Sequence, residues 1–225
     1  MQGIYLDKDE ISIQNMVLLF IAILFFSAQI CNAAEHTYVQ RQGSKEIKLV
    51  WSLQKSDENI IIRSQTPAKQ FKNLCKPNGN TIKWSFKKEN TDIKAIRKDN
   101  TIHFQGIRKG KKFKKIEEID SAPWFQPLSY SLRALLNSQK DETRFWMISP
   151  DTLKIHKLFA QKSDHEQIRI NDKLVETTAV NVSLNKFIST FWKGTYWFKE
   201  QDKLFVKFQG KKGLFSKTVK IKLVK

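Results

Sequence analysis

The side chains able to do acid–base, nucleophilic or metal chemistry are few and form no constellation. The four histidines, His36, His103, His156 and His165, are scattered. His103 and His156 alternate with apolar residues, as solvated strand positions do. Glu117 and Glu118 stand side by side after a basic run, which reads as a charged strand or turn rather than a pair of catalytic carboxylates. Cys75 lies between an apolar run and the turn Pro77-Asn78-Gly79-Asn80. A reactive thiol needs a base or cation beside it; Lys72 and Lys76 are near in sequence, but the position reads as buried. There is no Gly-rich phosphate loop, nucleophile elbow or HExxH pair. The expectation is a protein without a catalytic centre, metal or cofactor, and not an enzyme.

Two residue classes do stand out. The 225 residues include 40 Lys+Arg against 22 Asp+Glu, a net charge of +18. The densest stretch is Arg108-Lys109-Gly110-Lys111-Lys112-Phe113-Lys114-Lys115, and a second cluster runs from Lys211 to Lys225. Six tryptophans and sixteen phenylalanines form the other class. Aromatics in such number either fill an ordinary core or line a cleft left open for an apolar ligand. Lysines alternating along a strand either guard a sheet edge or offer a surface to an anionic partner.

The compartment decides which anions matter. Met16 to Ile30 carries no charge, and its strongly apolar part, Val17 to Ala28, would span about 18 Å as a helix. That is too short for a hydrocarbon core of about 30 Å and suits the apolar region of a secretory signal. Cys31-Asn32-Ala33-Ala34 supplies small residues for cleavage after Ala33. Met1 to Asn15 carries a net −2 where positive charge is usual, so translation starting at Met16, or an uncleaved signal anchor, are alternatives. The residues before Cys31, Ala28-Gln29-Ile30, match a lipidation signal poorly. The expected organisation is a signal peptide over residues 1–33 and one periplasmic domain over 34–225. Its anionic partners would then be envelope surfaces and not nucleic acid. Without residues 1–33 the chain keeps one cysteine, so no internal disulfide can form. It is long enough to support a core of its own as a monomer.

The elements that must position these residues show mostly period two. Ile47, Leu49, Trp51 and Leu53 alternate with polar residues, as do Ile82, Trp84 and Phe86; Ile102 and Phe104; Leu204, Val206 and Phe208; and Val219, Ile221 and Leu223. Turn residues separate the runs at Ser56–Asn59, Pro77–Asn80, Lys98–Asn100, Lys109-Gly110, Asn171-Asp172 and Glu200–Asp202. This predicts ten or more antiparallel strands with one solvated face. Pro127 to Gln139 alone has helical spacing, through Leu128, Leu132, Leu135 and Leu136. Ser183 to Trp192 is ambiguous. The predicted fold is mainly β: a large curved antiparallel sheet, a half-barrel or clamp-like meander, with one packed α-helix.

The run Ala122-Pro123-Trp124-Phe125-Gln126-Pro127-Leu128-Ser129-Tyr130-Ser131-Leu132 resembles the approach to the single helix in an uncharacterised family of bacterial exported proteins with a periplasmic domain of unknown function. Phe191 to Lys199, with Asp202 and Phe205 to Gly210, is similar to that family's closing hairpin. The resemblance covers about residues 38–225 and implies an antiparallel sheet curled around a helix. More loosely, it resembles the half-barrels of periplasmic lipoprotein carriers. It brings no catalytic residues. The expected function is non-enzymatic binding of a lipid, acyl chain or other apolar ligand, with Trp124, Phe125, Trp146, Trp192, Tyr196 and Trp197 as cleft walls. The alternative is an envelope structural or interaction protein that binds anionic polymers, a lipid surface or a protein partner through Arg108, Lys109, Lys111, Lys112, Lys114 and Lys115.

Overall fold

The computed structural model describes residues 33–184, 193–211 and 217–225. Fourteen strands account for most of them. The first eight are β1 (Ala33–Gln42), β2 (Lys45–Lys55), β3 (Ile60–Thr66), β4 (Lys69–Cys75), β5 (Thr81–Lys88), β6 (Thr91–Lys98), β7 (Thr101–Arg108) and β8 (Lys111–Glu118). The last six are β9 (Glu142–Ile148), β10 (Ile155–Ile170), β11 (Lys173–Ser183), β12 (Lys193–Lys199), β13 (Phe205–Lys211) and β14 (Val219–Leu223). All join one antiparallel sheet in the order β8-β7-β6-β5-β4-β3-β2-β1-β14-β13-β12-β11-β10-β9. Two meanders therefore meet at a single seam, where Tyr38 of β1 stands opposite Leu223 of β14.

The alternation read in the sequence sets which face is buried. Trp51 on β2, Trp84 and Phe86 on β5, and Ile102 and Phe104 on β7 are all buried, while lysines take many of the intervening positions. Tight turns reverse the chain where the turn residues stand: Asp99, Lys109, Asn171 and Asp172 all have positive φ. One alternation is broken. β12 and β13 shift register between Trp197 and Phe198, so Phe198 faces Phe205 while Trp197 faces Lys207. The run Leu204, Val206, Phe208 does not keep a single face; the bulge adds a residue and turns Phe205 inward together with Phe208.

β8 and β9 are the free ends of the sheet and do not pair with each other. The chain between them crosses the gap. Trp146 on β9 donates its backbone N–H to Pro123 and accepts one from Phe125. On the other side, Thr81 at the start of β5 donates its backbone N–H to Trp124. Its hydroxyl donates to the Gln126 carbonyl at 2.8 Å and accepts the Gln126 N–H at 2.9 Å. The Gln126 amide then reaches β9, donating to the Ile148 carbonyl at 3.1 Å and accepting the Ile148 N–H at 2.9 Å. Arg97 on β6 donates to the carbonyls of Asp99, Asp120 and Ala122. Asp120 accepts from the Trp146 indole at 2.7 Å and pairs with Lys157. Those bonds, from Lys157 and Trp146 first, hold its carboxyl down at about 2.

Past this crossing lie two adjoining helical turns, α1 (Leu128–Ser131) and α2 (Arg133–Leu136). They are the predicted helix, shorter than its leucine spacing and interrupted at Leu132. Leu128, Leu132 and Leu135 are buried in the larger apolar core against Tyr38, Trp51, Phe145 and Phe198. Gly79 supports them from the β4–β5 turn: its φ is +82°, and a Cβ there would lie 2.8 Å from the Ser131 carbonyl oxygen. A second core holds Trp84, Phe104 and Trp124 together with Ile148 and Leu153. It joins residues from opposite ends of the strand order, which requires the sheet to curl.

Gln126→Leu keeps the side-chain volume but strands the N–H and C=O of Ile148. We expect it to cost about 2–4 kcal/mol, measured as a lowered urea midpoint. Lys112→Ser, on an exposed strand face, should leave the midpoint within about 0.5 kcal/mol of the parent.

Candidate functional site

The curled sheet is not filled throughout. Between the β1–β2 hairpin, β9 and the β12–β14 strands lies an apolar cleft of about 260 Å³, walled on one side by Gln126–Ser129 at the start of α1. Its far wall is a chain of aromatic rings. Tyr38 lies 5.3 Å from Phe205 between ring centres, Phe205 lies 6.0 Å from Tyr196, and Tyr196 lies 4.6 Å from Phe208. Such separations suit tilted aromatic pairs. The Tyr38 hydroxyl donates to the Phe205 carbonyl at 2.8 Å, which pins that strand and leaves the ring facing the cleft. Burial raises the phenols of Tyr38 and Tyr196 well above their ordinary range, so both stay protonated at neutral pH. Trp51, Leu49, Met147 and Ile221 complete the apolar lining.

Two glycines make room for Phe208. Gly194 and Gly210 stand opposite each other on β12 and β13. A Cβ on either would come within 2.5 Å of the Phe208 ring. The ring lies against bare backbone, and that sets the depth of the cleft on this side.

Of the aromatics expected to wall a cleft, Tyr196 does so. Trp124 and Phe125 are buried in the two cores, Phe125 stacked 5.1 Å from Phe145. They belong to the crossing segment, whose backbone bonds draw them inside. Trp146 is held away by Asp120 and by Lys157, whose ammonium lies 5.4 Å from its ring; its neighbour Met147 faces the cleft instead. Trp197 follows Tyr196 on β12 and so points to the opposite face. There its indole donates to Glu166, and the Lys207 ammonium caps its ring at 3.9 Å. Trp192 lies outside the described residues, as do residues 1–32 of the expected signal peptide.

The basic run occupies the β7–β8 hairpin and is divided by strand alternation. Arg108, Lys111 and Lys115 share a face with Phe104 and Phe113, because cross-strand partners point the same way. Arg108 lies over Phe113 at 5.6 Å and donates to Thr152, and Lys115 pairs with Glu117. Lys112 and Lys114 take the opposite face beside Ile107 and Ile116, which are 46% and 54% exposed. Lys109 is in the turn. These cations form two half-patches on an edge strand, not one surface.

The histidines stay apart. His36 lies 5.7 Å from Trp51, His103 contacts Thr101, and His165 pairs with Glu200. Cys75 is fully buried; burial pushes its thiol up to about 11 despite the Thr81 hydroxyl beside it. Among the described residues no group of three His, Cys, Asp or Glu is placed to hold a metal ion, and no helix is long and apolar enough to cross a membrane.

Neither a family model nor a curated protein matches the sequence. Solved structures do. A β-barrel-like protein of the domain of unknown function DUF1849 from Brucella abortus superposes with a TM-score of 0.61, at 9% identity, over 88% of this chain and 98% of its own. This chain shares that protein's β-barrel-like fold. The hypothetical lipoprotein YmcC from Escherichia coli aligns over 93% of this chain and 96% of its own, at 14% identity and a TM-score of 0.43. The DUF1849 likeness accords, at the level of fold, with the β-rich family that the sequence resembles.

The glycine pair offers a test of how the cleft is built. Gly194→Ala should drive the Phe208 ring from its seat and cost about 1–3 kcal/mol. Combining it with Phe208→Ala should recover part of that cost, so the two changes couple in a double-mutant cycle of urea midpoints.

Proposed function

We propose that the protein is an exported, non-enzymatic carrier or sensor that holds one slim apolar ligand, a lipid or acyl chain, in the aromatic-walled cleft. The observation that carries this reading is the cleft itself. It is an unfilled apolar space bounded by Tyr38, Trp51, Tyr196, Phe205 and Phe208, beside the two buried cores. At about 260 Å³ it sits just under the usual ligand-pocket range of about 300–1,000 Å³, a size suited to a single chain rather than a two-chain phospholipid. Burying apolar ligand surface yields about 25 cal/mol per Å² before ordering costs. The apolar, uncharged stretch near the N-terminus and the small residues after it support export. The cleft wall carries no acid–base pair or nucleophile with a depressed pKa, which favours binding over chemistry.

Native mass spectrometry of the protein purified gently from a periplasmic extract tests this. We expect an adduct of lipid or fatty-acid mass that organic extraction removes and added fatty acid restores. A clean apo mass with no uptake of added fatty acid overturns the reading.

A second reading has its own observation. On the face of β1, β13 and β14 turned away from the cleft, Arg41, Lys207, Lys220 and Lys222 line a groove of about 320 Å³. Arg41 pairs with Glu46; the three lysines have no acidic partner among the described residues. We propose that this face, rather than the divided β7–β8 run, meets an anionic membrane surface. Co-sedimentation with vesicles containing phosphatidylglycerol should be lost in moderate salt and weakened several-fold by joint Lys207→Gln and Lys222→Gln. Salt-independent binding, or none, overturns it.

A further inference from the structure

The two half-buried arginines of the crossing region are treated differently by the fold. Arg97 spends its guanidinium on three backbone carbonyls. The side chain of Arg133, at the start of α2, makes no hydrogen bond or ion pair among the described residues, and its Nε is buried without a partner. Its guanidinium lies over the Tyr130 ring at 5.1 Å. The carboxylate that acts on it, Asp202, does so from beyond ion-pair distance and spends one oxygen on the Leu204 N–H at 2.9 Å. An N–H donor of a charged group taken out of water without an acceptor is costly.

Arg133 does not itself line the cleft, but two residues of the wall lie near it. Ser129, four residues earlier in the adjoining helical turn, is in the cleft wall. Tyr38, also in the wall, is within electrostatic range of the guanidinium, and so is His36. His36 lies two residues before Tyr38 on the same face of β1, with its ring against Trp51. The Trp51 indole N–H is itself buried and unpartnered. Close to the apolar cleft there are thus two buried donors, the Arg133 Nε–H and the Trp51 indole N–H, that no acceptor among the described residues satisfies.

We propose that Arg133, with Trp51 beside it, receives the anionic head of the ligand, so that the cleft selects single-chain amphiphiles ending in a carboxylate or phosphate over neutral or cationic ones of the same chain. This rests on the cleft-binding reading above and names its ligand class. The acceptor would supply what Asp202 does not, a hydrogen-bonded counter-charge within reach of the guanidinium. Chain length would be read by the aromatic wall and head charge by Arg133.

Isothermal titration of the wild-type protein with decanoate, decyl phosphate, 1-decanol and decyltrimethylammonium tests the proposal. The two anions should bind about tenfold or more tighter than the alcohol, and the cation most weakly. Their relative affinity distinguishes a carboxylate head from a phosphate one. Arg133→Leu should bring anion and alcohol to the same affinity, while Arg133→Lys keeps most of the preference. Equal binding of anion and alcohol by the wild type, or a preference that survives in Arg133→Leu, overturns the head-group assignment and leaves the cleft reading standing. If none of the four binds, both fail. The wild-type comparison needs no variant, so a poorly folding Arg133→Leu would not block the test.

Discussion

An antiparallel sheet that curls without closing has two free edges, and the interior between them must be shielded by something other than a strand pair. Here the shield is the short crossing segment between β8 and β9. Its backbone is bonded to Thr81 on one side and to Trp146 on the other, and the Gln126 side chain substitutes for a missing ladder rung at Ile148. Arg97 and Asp120 fasten its outer flank. Trp124, at its centre, is fully buried in the core that joins the two ends of the sheet. Without this segment, Ile148 and Leu153 would have no reason to face Trp84 and Phe104.

The cleft is a by-product of how that crossing is filled. The helical turns behind the crossing segment supply leucines to one part of the concavity. They wall only one side of the space under β12 to β14, where the opposite wall is built of flat rings on a strand pair thinned by two glycines. Aromatic walls of this kind are stiff, since each ring is held by its neighbours and by a backbone bond at Tyr38. A stiff apolar space cannot collapse on itself, and that distinguishes a cleft from a packing defect.

Much of the architecture was legible in the chain because period two is a local signal. Trp51, Trp84, Phe86, Ile102 and Phe104 declared their buried face through the polar residues between them, and the turns fell where Asn, Asp and Gly stood. The single helical segment was equally plain, though its leucines promised more turns than formed. The site was less legible. Tyr196 and Trp197 are adjacent, so only one of them could face inward, and alternation alone could have said as much. The bulge opposite Trp197 that turns Phe205 toward the cleft leaves no mark in the sequence. Nor does the partnership of Thr81 with Gln126, forty-five positions apart, because either residue is ordinary at its own place. The basic run looked like one patch when written in a line and is two when folded, since successive residues on a strand part company.

The strand order carries a kinetic consequence. Thirteen junctions join the fourteen strands, and all but one connect neighbours in the chain; the exception is β1 against β14. Each meander can therefore grow by short loop closures, which are fast. The seam must wait, because its two strands are separated by nearly the whole folded length of the protein. Until it forms, β1 presents an unpaired edge while the rest of its meander is already assembled. The slow step in acquiring this structure is then the meeting of two finished halves, and the cleft, whose walls come from both, is the last feature to exist.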